Sequence, residues 1–428
     1  MKILILYRHF WPDSPPYASM LRSIARTLVE AGHEVTIWAE EPCYKPSDRS
    51  LSVPRHTSVD GIRVERLARL PDRVATEPMR LLDKLLFVPR LLLKAVVRRA
   101  RGARYDLVWT ATIPPVIQGW AGRTIAGLFG AQFLYHCQDL YPELAGHMNL
   151  WRQGGLLYRI MARIERRTRS RADLLVTLSA DMAAAVRKLG NPRKLLILNN
   201  FPLEDFTATD DQVMSRVASP PRDDGKIQLI FAGNLGNFQG LEAVVEAMRL
   251  IEADCPKLEF LLMGEGKALP RLQKRAADLS NVRILPHLPY EEARRVIADA
   301  DIGLVSVESG IQRYAFPSKT LTYLELGLPI LTIVDTASEL ANMVTSKGLG
   351  WVSAGRDCVA ISETLLLIAN GWESRPLGSG SSTIVNRRDV LHSWVRALAI
   401  QVPARGTHAG REERNDASSN DETWFDQI

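Results

Sequence analysis

The chain is poor in cysteine, with Cys43, Cys137, Cys255 and Cys358 spread over 428 residues and no CxxC pair. That argues against a disulfide framework or a zinc knuckle and points to a reducing cytoplasm. Long apolar runs are missing too, and none approaches the roughly 18–20 residues of a membrane-spanning helix. The opening apolar block, Ile3 to Tyr7, is too short for a signal-peptide core and reads as a first strand. HExxH, GxSxG and GK[ST] motifs are absent, so the usual sequence signs of zinc proteases, serine hydrolases and P-loop enzymes are lacking.

What is present is ordinary globular composition, 46% hydrophobic and 24% charged. At about 150–200 residues per domain the length predicts two or three domains. The net charge of +6 conceals an asymmetry. Residues 1–205 hold 31 Lys+Arg and 19 Asp+Glu, whereas residues 206–428 hold 23 and 29. Two domains meeting different partners would produce that split, the basic one attracting an anion such as a membrane face, a nucleic acid or a phosphorylated substrate.

Along the chain, strand-like and helix-like patterns alternate. Strands are expected at 2–7, 34–39, 61–67, 106–110, 132–136, 174–178 and 195–198. The pattern stops over 200–224 and resumes with strands at 227–232, 258–263, 282–285, 302–307 and 330–334. Helices fill the intervals, the first over Pro16–Ala31 and closed by Gly32. Alternation of this kind predicts parallel sheets covered on both faces. The expected fold is α/β, two doubly wound Rossmann-like domains facing across a cleft. The expected boundaries are 1–205, a linker over 206–225, a second domain over 226–388, a helix over 389–402 and a disordered tail over 403–428.

Such folds bind ligands at the carboxyl ends of strands. Five segments stand there. Phe231–Leu241 (FAGNLGNFQGL) holds Gly233, Asn234, Gly236 and Gln239 between a strand and a helix, suited to an anion or simply to a tight turn. Met263–Lys267 (MGEGK) repeats the arrangement with Gly264, Gly266 and a cation, Lys267. Arg313–Pro329 places Pro317, Ser318 and Lys319 at a helix start, where a lysine opposes the dipole unless a phosphate binds, with Arg313 upstream as a second cation. Tyr135–Glu143 (YHCQDLYPE) crowds His136, Gln138 and Asp139 at a strand end, and Phe10–Tyr17 lies at another. The triplet Asp299-Ala-Asp301 has the form of a metal-binding DxD but sits where a helix meets a strand, so a buried architectural role is expected. Two arginine-rich amphipathic stretches, 79–104 and 151–171, suit an anionic membrane surface or a core-packing helix with a solvated basic face.

Over Met1 to about Ile400 the chain resembles the retaining family 4 glycosyltransferases of GT-B fold, in the branch that builds bacterial exopolysaccharide, O-antigen or capsule. The resemblance rests on Gly32-His33-Glu34-Val35-Thr36, Asp139-Leu-Tyr-Pro-Glu143, FAGNLG followed by QGL, MGEG, Ala300-Asp301-Ile302-Gly303-Leu304, and Pro317-Ser318-Lys319 with Gly327-Leu-Pro329. It implies a metal-independent hexosyltransferase with no cofactor. A nucleotide-sugar donor, most often UDP-linked, would bind the C-terminal domain through the donor segments above. The acceptor would bind the N-terminal domain, through Asp13, Ser14, Tyr17, Gln138 and Glu143. Catalysis would rest on Lys319, Arg313, Asp139 and His136. Where relatives carry an Arg and a Lys in the first donor loop, this chain has Asn234 and Gln239. Where they carry a Glu-x7-Glu pair it has Tyr314 and Thr322, which leaves Glu308 as the nearest upstream carboxylate for the sugar.

The implied reaction is front-face transfer with retention, in which the departing diphosphate takes the acceptor proton and protein cations neutralise it. The implied acceptor is a polyprenyl-diphosphate-linked glycan, met by a cytoplasmic protein held peripherally on the inner face of the plasma membrane. No nucleic-acid motif accompanies the positive charge. The alternatives are an inactive relative serving as a scaffold and a nucleotide-sugar 2-epimerase of the same fold.

Overall fold

The computed structural model describes residues 1–44, 48–69, 77–202, 225–374 and 386–401, with the backbone alone for 77–85, 374 and 401. The expected linker, apart from Gly225, and the expected tail over 403–428 lie outside the described residues.

Two compact units divide the chain: Met1–Glu204 with Arg387–Ile428, and Asp205–Asn386. The first unit contains β1 (Lys2–Leu6), α1 (Pro16–Glu30), β2 (Glu34–Glu40), β3 (His56–Val59), β4 (Ile62–Leu67), α2 (Glu77–Ala100), β5 (Leu107–Ala111), α3 (Ile117–Phe129), β6 (Gln132–His136), α4 (Glu143–His147), α5 (Leu156–Arg169), β7 (Leu174–Thr177), α6 (Ala180–Leu189) and β8 (Leu195–Ile197). Its sheet runs β3-β4-β2-β1-β5-β6-β7-β8. The second unit contains β9 (Ile227–Ala232), α7 (Leu241–Ile251), β10 (Leu258–Met263), α8 (Leu269–Ala276), β11 (Val282–Leu285), α9 (Tyr290–Ala298), β12 (Ile302–Ser306), α10 (Lys319–Glu325), β13 (Ile330–Ile333), α11 (Glu339–Ser346), β14 (Gly350–Val352) and α12 (Cys358–Asn370). Its sheet runs β11-β10-β9-β12-β13-β14. A last helix, α13 (Arg387–Gln401), returns to the first unit, where Trp394 stacks on Trp109 with ring centroids 4.5 Å apart.

The strands of the second unit pair in parallel, and every residue of β9 and β10 is buried. Leu229, Phe231, Phe260 and Leu262 pack with Val244, Val245 and Met248 of α7 and with Ile361 and Leu365 of α12. Full burial of each such side chain stabilises by about 1.5–3 kcal/mol. In the first unit the expectation of an all-parallel sheet needs one correction. β3 pairs antiparallel with β4 at the edge, across a turn in which Asp60 and Gly61 both have positive φ (52° and 77°). An Asp-Gly pair is a favoured two-residue hairpin connection, because both positions of that turn need φ > 0.

Each sheet has a point where the chain reverses direction across the strand order. It lies between β1 and β5 in the first unit and between β9 and β12 in the second. Loops leaving the carboxyl ends of those strands diverge there, which opens a place for ligands.

Candidate active site

In the second unit the two diverging loops are Gly233–Gly240, after β9, and Val307–Ser318, after β12. Tyr323 of α10 ties them to the helix. Its hydroxyl accepts the backbone N–H of Ala232 at 2.9 Å, and its ring lies where a Cβ on Gly303 would fall. This fixes α10 against the end of β9 and brings Lys319 over it. The Lys319 ammonium sits 4.5 Å from the centre of the Phe231 ring, and a Cβ built on Gly233 would meet its Cε at 3.0 Å and its Nζ at 3.3 Å. Lys319 is half-buried and has no carboxylate partner among the described residues. Burial pushes its pKa down to about 8. A desolvated cation beside an exposed glycine turn favours an anion.

Arg313 and Lys267 are exposed and make no ion pair among the described residues. The Glu308 carboxylate lies 3.3 Å from where a Gly240 Cβ would be, at the start of α7, and its backbone N–H donates to the Phe238 carbonyl at 2.7 Å. Asp335 holds the loop that carries Glu308 and Arg313, accepting from Ser309 Oγ at 2.8 Å, from the Gly310 N–H at 2.9 Å and from Arg356 at 3.2 Å. Gln239 is buried, with its amide oxygen accepting the Gly236 N–H at 2.9 Å. Asn234 is exposed, and Ser318 makes no capping bond to α10. Thr322 lies one turn beyond Lys319, while Glu325 is bound in a two-point pair to Arg294 at 3.0 Å on each oxygen.

Two further observations concern this unit. Gly264 and Gly266, expected to approach a phosphate, also let two loops pack closely. A Cβ on Gly264 would fall 1.9 Å from the Gly233 carbonyl oxygen, and one on Gly266 2.2 Å from that of Leu235. Backbone bonds Gly233 N–H to Met263 O and Leu235 N–H to Glu265 O lace the two loops together. The second concerns α10, which has only seven residues. Its end charge is small, so Lys319 is the main positive element of this loop pair. Asp301 of the DxD triplet accepts the Gln228 N–H at 2.8 Å, an architectural bond.

In the first unit the expected residues mostly engage one another. His136 is buried between Tyr17, Trp109 and Trp394. Its Nδ1 meets the Tyr17 hydroxyl at 2.8 Å and its Nε2 the Gln138 amide at 2.8 Å. Burial pushes its pKa down to about 3, so the ring is neutral. Both nitrogens of the His136 ring are thus engaged within the unit. Gln138 also exchanges hydrogen bonds with Asn200. Asp13 binds His9 and the backbone N–H groups of Cys43 and Tyr44, and the Ser14 hydroxyl donates to Asp48 at 2.7 Å. Glu143 pairs with the buried Arg169, which also holds Glu165. Each of these polar groups thus has a partner within the unit. Asp139 differs. It is half-buried, has no hydrogen bond or ion pair among the described residues, and burial pushes its pKa up to about 6.

Comparison with known proteins agrees with this geometry. Residues 17–200 match the family model described as a glycosyl transferase 4-like domain, and residues 226–370 match glycosyl transferases group 1. This is the domain pair of a glycosyltransferase. The chain is 26% identical over 269 residues to a Pseudomonas aeruginosa protein named as probable glycosyltransferase WbjE, covering 62% of this chain and 66% of that one, just under two thirds of its length. It is 24% identical over 356 residues to a protein of Escherichia coli K12 named for a proposed colanic acid biosynthesis glycosyl transferase, WcaI, covering 80% and 86%. Among solved structures it superposes on the sucrose-phosphate synthase of Thermosynechococcus elongatus with a TM-score of 0.70 at 16% identity, over 93% and 98% of the chains. HepE of Anabaena, solved with UDP, gives a TM-score of 0.63 at 13% identity over 93% and 100%. These likenesses establish the GT-B fold.

In the glycosyltransferase domains, Tyr323, Phe231 and Asp335 escaped the sequence reading because their contacts are long-range. The basic stretch 79–104 also needs correcting. On α2, Arg90 reaches Glu40, and Lys94 and Arg98 both reach Glu65, so these cations face the sheet. Among the described side chains of α2, Leu93, Val96 and Val97 are exposed, as is Arg99. On α5, Leu156, Leu157 and Ile160 are exposed beside Arg159, Arg163, Arg166 and Arg167. No helix among the described residues is long and apolar enough to cross a membrane.

Proposed function

We propose that this glycosyltransferase moves a sugar from a nucleotide-sugar, UDP-linked in the simplest reading, to a lipid-linked saccharide with retention of anomeric configuration, in cell-surface polysaccharide synthesis. The observation that carries the reading is Lys319, a desolvated and unpaired ammonium over the exposed Gly233 turn at the reversal point of the second sheet. The UDP in HepE and the names of the two curated relatives support donor class and pathway.

In the proposed reaction the acceptor oxygen forms the new bond to the anomeric carbon on the face from which the diphosphate leaves. The bond from carbon to phosphate oxygen breaks, and the acceptor proton passes to the departing phosphate. Lys319 neutralises that charge, aided by Arg313 and Lys267. Glu308 and Thr322 contact the sugar or ribose, Asn234 and Gly233 line the phosphate path, and Asp139 orients the acceptor. Pro317 and Ser318 set the start of α10. The protein sits on the inner face of an anionic membrane through the exposed apolar and arginine side chains of α5 and the exposed Leu93, Val96 and Val97 of α2.

The test is turnover. Purified protein, a panel of UDP-, GDP- and ADP-linked sugars and a lipid extract bearing polyprenyl-diphosphate glycans are combined, and nucleoside diphosphate release and the anomeric configuration of the product are measured. Acceptor-dependent release with a retained anomer is expected. Nucleotide binding without turnover would favour the scaffold reading, which Asn234 and Gln239, standing where a cation pair is expected, bring into view. Release of an epimerised sugar without transfer would point to the isomerase.

A further inference from the structure

In the first unit, the loops leaving β1 and β2 place three buried side chains of metal-ligating chemistry together: His9, Asp13 and Cys43. Their ligand atoms all lie within 4.8 Å of one another. His9 Nδ1 is 2.8 Å from Asp13 Oδ2 and 3.8 Å from Cys43 Sγ. A tetrahedral zinc ion, with bonds of about 2.3 Å to sulfur and about 2.0–2.1 Å to nitrogen or oxygen, needs edges of about 3.6 Å and about 3.3 Å between such atoms. The two edges at His9 Nδ1 therefore lie within about half an ångström of those a cation needs, and the edge from Asp13 to Cys43 is no longer than 4.8 Å.

The surroundings favour the same reading. The other oxygen of Asp13 accepts the backbone N–H groups of Cys43 at 3.0 Å and Tyr44 at 2.8 Å, which orients the carboxylate as outer partners orient a metal ligand. The Cys43 thiol donates to Glu40 at 3.4 Å, and burial together with Glu40 raises its pKa. Glu40 is itself bound to Arg8 at 2.6 Å. A thiolate and the Asp13 carboxylate would balance a divalent ion and leave Glu40 to Arg8. The sugar-transfer reading uses neither His9 nor Cys43, and of this group only Asp13 is among the expected acceptor residues.

We infer that His9 Nδ1, Asp13 Oδ2 and Cys43 Sγ form a three-ligand site for a zinc-class divalent cation that pins the loop after β1 to the loop after β2. On binding, the thiol proton leaves to solvent, and the imidazole gives up the Nδ1 proton it shares with Asp13, so that the neutral ring carries its single proton on Nε2. Three protein ligands leave the fourth position to a water. The inference stands on the first unit alone and does not depend on the donor assignment. It concerns loop structure, so it leaves a metal-free transfer step unchanged.

The test uses the full-length protein, stripped of metal with a chelator and titrated with cobalt(II), then with zinc(II). A saturable near-ultraviolet thiolate-to-cobalt band at one equivalent, displaced by zinc, is expected in the wild type. Cys43→Ser should abolish the band, and His9→Gln should weaken binding by more than the roughly 10–100-fold that losing an outer-shell partner costs. Cys358→Ser, at a half-buried thiol of the second unit, should keep it. Absence of the band in the wild type would overturn the proposal even if a variant failed to fold. So would a band that survives Cys43→Ser or disappears in Cys358→Ser.

Discussion

The hydroxyl of Tyr323 accepts the backbone N–H of Ala232 at 2.9 Å, joining the helix that carries Lys319 to the strand end over which Lys319 lies. Both residues are buried. Tyr323→Phe leaves that N–H without a partner, at a cost of about 1–3 kcal/mol. Urea denaturation should show the loss, and nucleotide affinity should fall with it because Lys319 loses its anchor. A variant with unchanged stability and affinity would show that this bond does not set the geometry.

Gly264 tests the packing role. Its φ is +142° and a Cβ would overlap the Gly233 carbonyl oxygen at 1.9 Å. Gly327, at φ +76° with nothing within 4 Å, tests backbone conformation alone. Gly327→Ala should cost about 1–2 kcal/mol. Gly264→Ala should cost more, and should also weaken nucleotide binding by moving the Gly233 turn. Equal losses in the two variants would contradict the packing reading.

Lys319 links pH to binding and to stability with opposite signs. Its folded pKa is lowered from 10.5 to about 8. The unfolded chain therefore holds the proton more tightly between those values, and the free protein gains stability as pH rises through that window. Nucleotide affinity should do the reverse, falling as pH passes about 8 and the ammonium is lost. Lys319→Met should flatten both dependences and raise the melting temperature of the free protein at neutral pH while abolishing the nucleotide response. That is the usual tension between stability and a strained functional site.

The exposed face of α5 should decide membrane attachment. Leu156 is 77% exposed and Ile160 47%, amid four exposed arginines. The double variant Leu156→Asp with Ile160→Asp removes burial worth about 1.5–3 kcal/mol per side chain, a loss of about a hundredfold or more in vesicle affinity. Cosedimentation with phosphatidylglycerol vesicles measures it. Binding to neutral vesicles at equal strength would contradict the electrostatic part of this reading.

Strands β6, β9 and β10 stand where the hydrophobic runs place them, because buried parallel strands are written as local, nearly continuous apolar segments. β3 and β14 were not legible. One is a short, half-exposed edge strand and the other has three residues. The positions of the site loops were legible because polar and glycine residues cluster at strand ends. Which side chains stay free there was not. His136 and Tyr17 are 119 residues apart, and only the fold shows that each satisfies the other. The same holds for Arg90, Lys94 and Arg98. At helical spacing they read as one basic face, and the acids that draw them inward, Glu40 and Glu65, lie on other strands.

The central claim is that Lys319 neutralises the leaving diphosphate. Calorimetric titration of UMP and UDP against the wild type and Lys319→Ala separates the phosphate contact from the rest of the nucleotide. UDP should bind the wild type at least about tenfold more tightly than UMP, as a charge-assisted contact implies, and that advantage should vanish in Lys319→Ala while UMP affinity barely changes. An advantage of UDP over UMP that persists in Lys319→Ala would contradict the claim.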